Sequence, residues 1–182
     1  MITVAPTGEN TSYTAPVKHK RRFFAYDFKV IPHDFHICEM QYIRQAYLED
    51  EARTRIRRTS CRGQDSFTVI RITEDEGSRQ ENEYTISEDV FNDLKQMAKC
   101  SLEKSRYLIP IPNGFVAELN IFHGSLAGYL QIEVEFVSEK EAKAFIPPYW
   151  FGQEVTLDSS HRNYHLAKYG SPQDAYIPEF PL

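Results

Sequence analysis

The chain has 182 residues, the length of one domain with or without a tail and enough to bury a core without staples. Its 41% apolar and 26% charged residues exclude wholesale disorder, and a net charge of -5 argues against general affinity for nucleic acid while leaving room for a local basic cavity around a small anion. Cys38, Cys61 and Cys100 are odd in number and widely spaced, which excludes a disulfide framework or zinc knuckle, and with no long apolar run or signal-peptide pattern the expected location is cytoplasmic, with no membrane partner.

Residues 1–20 hold Pro6, Gly8, Asn10 and Pro16 without periodicity and read as a flexible arm ending in the basic run Lys18 to Arg22. The folded domain is expected over 21–170, its regular structure starting near Phe23, with 171–182 as a tail. Arg53-Thr-Arg55-Ile-Arg57 and Ser66-Phe-Thr-Val-Ile-Arg71 read as strands joined by a hairpin through Gly63. Ser87 caps a helix whose Val90, Phe91 and Leu94 recur at helical spacing, and Ser138 with Glu141 opens a second one as a capping box. Between the helices, Arg106-Tyr-Leu-Ile109, Phe115 to Phe122 and Tyr129 to Phe136 form an antiparallel meander. The Pro- and Gly-rich stretch after Pro147 reads as irregular chain with one short helix packed on the outside.

Side chains two apart on a strand share a face. Arg55 and Arg57, Glu81 and Glu83, Lys104 and Arg106, Glu118 and Asn120, and Glu133 and Glu135 all have this spacing, with Ile56, Leu119 and Val134 between charged neighbours. One such strand says little, since any half-buried strand alternates. Mixed signs on neighbouring strands of a closed sheet say more. An interior lined by both suits a phosphate chain on Arg and Lys, with Mg2+ or Mn2+ held by carboxylates.

Taken in order, Gln45-Ala-Tyr-Leu48, Arg55-Ile-Arg57, Arg79-Gln-Glu-Asn-Glu83, Lys104-Ser-Arg-Tyr107, Glu118-Leu-Asn-Ile-Phe122, Glu133-Val-Glu135 and Pro147-Pro-Tyr-Trp150-Phe-Gly152 resemble the motifs of CYTH, or triphosphate tunnel, proteins over roughly residues 23 to 170. The resemblance implies an α+β fold: a closed antiparallel eight-stranded β-barrel with short helices outside. It implies phosphate binding by Arg55, Arg57, Arg71, Arg79, Lys104 and Arg106. Metal would be carried by Glu133, Glu135, Glu118, Glu81, Glu83 and Asp27, with Glu133, Glu135 and Lys29 in catalytic roles. The implied ligand is a triphosphate, polyphosphate or nucleoside triphosphate, and the implied cofactor Mg2+ or Mn2+.

The chain departs from the family's opening Glu-x-Glu-x-Lys strand. One register puts Phe23, Ala25 and Asp27 at those positions, and a two-residue shift puts Ala25, Asp27 and Lys29 there, so Asp27 is the only acid either offers. Arg71 stands where a lysine is usual and Asn120 where an aspartate is common. The phosphate side is kept and the metal side weakened, which leaves two main readings: a metal-dependent triphosphatase, or a binding protein that has lost turnover. An adenylate cyclase ranks below both, since no adenine pocket is recognisable.

Overall fold

Alternating apolar and charged side chains give most strands one wet and one dry face, and the computed structural model builds a single antiparallel sheet from them. It describes residues 13–14, 19–25, 30–32, 34–49, 53–75 and 78–172. The strands are β1 (Tyr13–Thr14), β2 (His19–Phe24), β3 (Glu39–Tyr47), β4 (Thr54–Cys61), β5 (Gln64–Asp75), β6 (Ser78–Thr85), β7 (Cys100–Pro110), β8 (Val116–Phe122) and β9 (Leu130–Phe136). Their order across the sheet is β1-β6-β5-β4-β3-β7-β8-β9-β2.

The sheet is not closed, which corrects the expected barrel. Closure would require β2 to pair with the strand at the other end, β1, and the free side of β2 is already taken. Residues 152–156 lie along β2: Gly152 N donates to Phe24 O at 2.8 Å, Phe24 N to Gln153 O at 2.9 Å, Val155 N to Arg22 O at 2.8 Å and Arg22 N to Thr156 Oγ1 at 3.0 Å. The other edge, β6, pairs with β1 through Tyr13–Glu83 and Thr14–Asn82. Residues 152–156 thereby shield the β2 edge from pairing with another chain, and β1 shields β6.

The start of the domain is corrected as well. The basic run does not end an arm: His19 to Phe24 form β2, in register with β9 from Phe136 to Gln131. The hairpin at Gly63 is as expected, a two-residue loop between Cys61 and Gln64 with Arg62 at φ 51° and Gly63 at φ 76°. Two successive left-handed residues match the twist of the flanking strands.

The apolar face is packed from outside. Phe23, Leu119, Ile132, Val134 and Phe136 meet Ala142 of α2 (Glu139–Ala144), Phe145 and Trp150. Arg21 points the same way and ties this layer down, pairing with Glu154 at 2.6 Å and donating to the carbonyls of Ala142 and Phe145. Further along the sheet, Ala46 and Ile56 take Phe91 of α1 (Glu88–Gln96), which begins where Ser87 Oγ accepts from Val90 N at 3.3 Å. Ser138 caps α2 in the same manner through Glu141 N.

Helix α3 (Asn163–Tyr169) is not outside. Leu166 packs against Phe24, Leu102 and Phe122, which belong to the otherwise charged face, so α3 plugs one end of it. Three apolar side chains on a polar face need such a cover. No helix of the described residues is long and apolar enough to cross a membrane.

Candidate functional site

Residues directly opposite one another on paired strands point to the same side of a sheet. Following the register from β2 to β6 therefore defines the charged face: Lys20 opposite Glu135; Arg22 opposite Glu133, itself opposite Glu118; Asn120 opposite Arg106, then Gln41; Lys104 opposite Ile43; Gln45 opposite Arg57; Tyr47 opposite Arg55; Ile70 opposite Glu83; and Ile72 opposite Glu81. Arg55, Arg57, Lys104, Arg106, Glu118, Glu133, Glu135, Glu81 and Glu83 are thus brought onto one surface. Ion pairs that skip a strand, from Arg106 on β7 to Glu133 on β9 at 3.3 Å and from Arg55 on β4 to Glu81 on β6 at 2.9 Å, show the face drawn inward as a trough.

Arg71 is a correction. It lies opposite Thr54 and Asn82, one residue out of step with Ile70, and is exposed on the other side of the sheet. The backbone of Arg79 pairs with Glu74 in β6, and its side chain lies outside the described residues, as do Asp27 and Lys29 entirely. The first-strand registers are corrected too. Phe23 and Ala25 sit in the apolar core beside Ile31 and Trp150, so neither occupies a position on the charged face. That face takes Lys20 and Arg22 from β2. Their two-residue spacing was visible in the sequence but lost inside an unbroken run of basic residues.

Charge is sorted along the trough. Toward β2 lie the carboxylates of Glu118, Glu133 and Glu135, each engaged by cations of the chain, while Glu81 and Glu83 lie at the opposite end on β6. Glu133, 1% exposed, accepts from Arg22 Nε at 2.8 Å through Oε1, and from Lys20 Nζ at 3.1 Å and Arg106 at 3.3 Å through Oε2. Lys20 Nζ is also 3.0 Å from Glu135 and 3.9 Å from Glu118, and Arg106 reaches Glu118 at 3.1 Å. Burial alone would push the Glu133 carboxyl up; Lys20, Lys104, Arg22 and Arg106 together outweigh it and hold the group well below the usual carboxylate range.

The centre of the trough is cationic. Lys104 is 1% exposed, and among the described residues its Nζ has no hydrogen-bond partner and lies 5.3 Å from the centre of the Phe122 ring. Burial, then repulsion from Arg106 and Lys20, pushes its ammonium well below the ordinary lysine value, against the pull of Glu133 and Glu118. Arg57 makes two long contacts, both 3.4 Å, to the neutral Oε1 of Gln45. Burial, Arg55 and Arg106 lower its pKa to about 10. Gln45 is held in turn by Tyr47 through a short hydrogen bond. A buried ammonium without a hydrogen-bond partner and a weakly paired guanidinium on one face are costly for a protein on its own. They suit an anion with many acceptor oxygens.

The divalent metal implied by the family resemblance does not fit this arrangement. Metal coordination needs convergent carboxylate oxygens that are not already held by other cations. Here those of Glu133, Glu135 and Glu118 are turned onto Lys20, Arg22 and Arg106. Among the described residues no group of three or more His, Cys, Asp or Glu side chains is arranged to hold a metal ion.

His123 and Trp150 make packing contacts. His123 Nε2 is 2.9 Å from Ser105 Oγ, with its ring stacked on Tyr42. Trp150 is buried against Phe151. His33 lies outside the described residues.

No protein-family model matches the chain. Over 126 residues it is 40% identical to an inorganic triphosphatase of Nitrosomonas europaea, an alignment covering 69% of this chain and 83% of that protein. A solved inorganic triphosphatase superposes with a TM-score of 0.61 at 30% identity, over 88% of this chain and 100% of the other. A protein from Pyrococcus horikoshii shares the fold at a TM-score of 0.50 and 17% identity, over 70% of this chain and 82% of its own.

Proposed function

Because the chain belongs to the CYTH, or triphosphate tunnel, family, we propose that it binds an inorganic triphosphate chain in the cationic centre of the trough and hydrolyses it. The observation that carries this reading is Lys104, a buried ammonium with no hydrogen-bond partner among the described residues. Together with Arg57, Arg55 and Arg106, it provides donors from the same face of β4 and β7, on either side of β3, to several phosphate oxygens at once. Arginine forks span two oxygens, whereas the lysine supplies a point charge.

In-line attack of water on the terminal phosphorus breaks the anhydride P–O bond and leaves its electron pair on the departing diphosphate; the protons of water leave with the released phosphate. The charge growing on the diphosphate is met by the same cations, fixed in place before reaction. Mg2+ or Mn2+ would add neutralisation if the carboxylates could hold it. Since they are engaged by Lys20, Arg22 and Arg106, no step is assigned to a metal. Glu133 acts in this scheme as a positioning residue, because a carboxylate with so low a proton affinity is a poor base.

That engagement favours a second reading, a triphosphate-binding protein without turnover. The two are separated by offering the purified protein sodium tripolyphosphate, with ATP in parallel, and measuring phosphate release beside calorimetric binding. Release supports the hydrolase, whereas binding without release supports the second reading. Absence of both, with the fold intact, refutes the shared premise.

A further inference from the structure

We infer that Lys20 is the resident cation of this site, so that the trough takes a triphosphate without any divalent metal; the inference rests on the triphosphate reading given above. The ammonium lies 3.0 Å from Glu135, 3.1 Å from Glu133 and 3.9 Å from Glu118, gathering three carboxylates that converge from β8 and β9. Arg22 and Arg106 take up the other oxygen of Glu133 and the side of Glu118 facing β7. Both oxygens of Glu133 and one oxygen each of Glu135 and Glu118 therefore already face a cation of the chain, although Glu118 Oε2 has no hydrogen-bond partner among the described residues.

Lys20 cannot be carried out of the way by its backbone. Its strand is paired to β9 from His19 to Phe24 on one side, and the end of the strand is hydrogen-bonded to residues 152–156 on the other. A divalent ion bound by the same oxygens would compete with the Lys20 ammonium for them, with the Arg22 and Arg106 guanidiniums already on Glu133. Like charges at such separations repel strongly in a partly buried setting. The carboxylates therefore have a different use here. They fix the Lys20 ammonium and the two guanidiniums at the end of the trough, where three cations balance three carboxylates without a metal.

The sign of the metal effect follows. Mg2+ in solution chelates tripolyphosphate and lowers the free polyanion, so it weakens apparent binding to a metal-independent site and strengthens binding to a metal-dependent one.

The test is calorimetric titration of sodium tripolyphosphate into the full chain in EDTA and again in excess Mg2+, with Mn2+ binding followed by electron paramagnetic resonance. The expected result is full binding in EDTA, apparent affinity at least threefold lower in Mg2+, and no tightly bound Mn2+. The Lys20→Glu variant, which restores an acid to the cluster, is expected to lose at least tenfold in affinity in EDTA and to gain a bound Mn2+ signal. Should it fail to fold, Lys20→Met keeps the cluster's arginines and is expected to show the same loss in EDTA. Binding by the wild-type chain only when Mg2+ or Mn2+ is present, or one tightly bound Mn2+ per wild-type chain, overturns the inference while leaving the triphosphate reading intact. No binding under either condition overturns the triphosphate reading and the inference with it.

Discussion

Replacing Lys104 by methionine should make the protein more stable and less able to bind. The side chain is 1% exposed, its Nζ has no hydrogen-bond partner among the described residues, and its nearest described aromatic neighbour is the Phe122 ring. Methionine keeps the length and the contact with that ring while removing an ammonium from a poorly solvated position. Exchanging buried charge for well-packed apolar groups stabilises by about 1–4 kcal/mol. For a chain of this size each kcal/mol moves Tm by about 2–4 °C. The loss of even one charge-assisted contact to phosphate, worth about 1.5–3 kcal/mol, lowers affinity by roughly 10- to 150-fold. Differential scanning fluorimetry with and without sodium tripolyphosphate reads both effects in one plate. The variant should melt higher than wild type without ligand and gain less on its addition, because ligand stabilisation scales with occupancy. A variant that melts lower and is still stabilised as much as wild type would refute the assignment of Lys104 as an uncompensated charge kept for an anion.

Arg57→Ala should cost about 10- to 150-fold in tripolyphosphate affinity by the same magnitude per contact, whereas Arg71→Ala, on the opposite face, should change it by less than about twofold; calorimetry of the two side by side checks the register. Glu133→Gln should destabilise the chain by about 3–5 kcal/mol, since Lys20, Arg22 and Arg106 lose their shared, buried counter-charge, and chemical denaturation measures it. The pH dependence follows from the depressed ammonium of Lys104. Between its folded value and the ordinary lysine value of 10.5, the unfolded chain holds a proton that the folded chain has released, so this group's contribution to stability rises with pH across that window. Tripolyphosphate restores the proton there, so affinity falls as pH rises and binding takes up protons. Calorimetry in buffers of different ionisation enthalpy should show the uptake in the wild type and a smaller one in Lys104→Met.

Much of this site was legible because the relevant strands alternate cleanly. In β4, β7, β8 and β9 the charged residues two apart have an apolar or small neighbour between them, and parity alone put Arg55, Arg57, Lys104, Arg106, Glu118, Glu133 and Glu135 on one face. Parity also holds the error at Arg71. Ile70 and Ile72 are the residues of β5 in register with Glu83 and Glu81, so the arginine between them must face away. The family position suggested a role that the pleat forbids.

Strand β2 was hidden for a different reason. Lys18 to Arg22 carry charge or imidazole at every position, so no period of two is visible until Phe23 and Phe24, which are buried on opposite faces in separate clusters. The open sheet was not legible either. It depends on residues 152–156, irregular and without periodicity, bonding to an edge that the sequence does not mark. The position of α3 had a faint signal: Leu102 and Phe122 are apolar side chains on a face otherwise set aside for charge, and they needed a cover.

The most direct measurement is a crystal structure of the protein with tripolyphosphate. Phosphate oxygens are expected within hydrogen-bonding distance of Lys104 Nζ and the Arg57 guanidinium, with Lys20 still against Glu133 and Glu135. A polyanion bound on the opposite face beside Arg71, with Lys104 left unpartnered, would contradict the account.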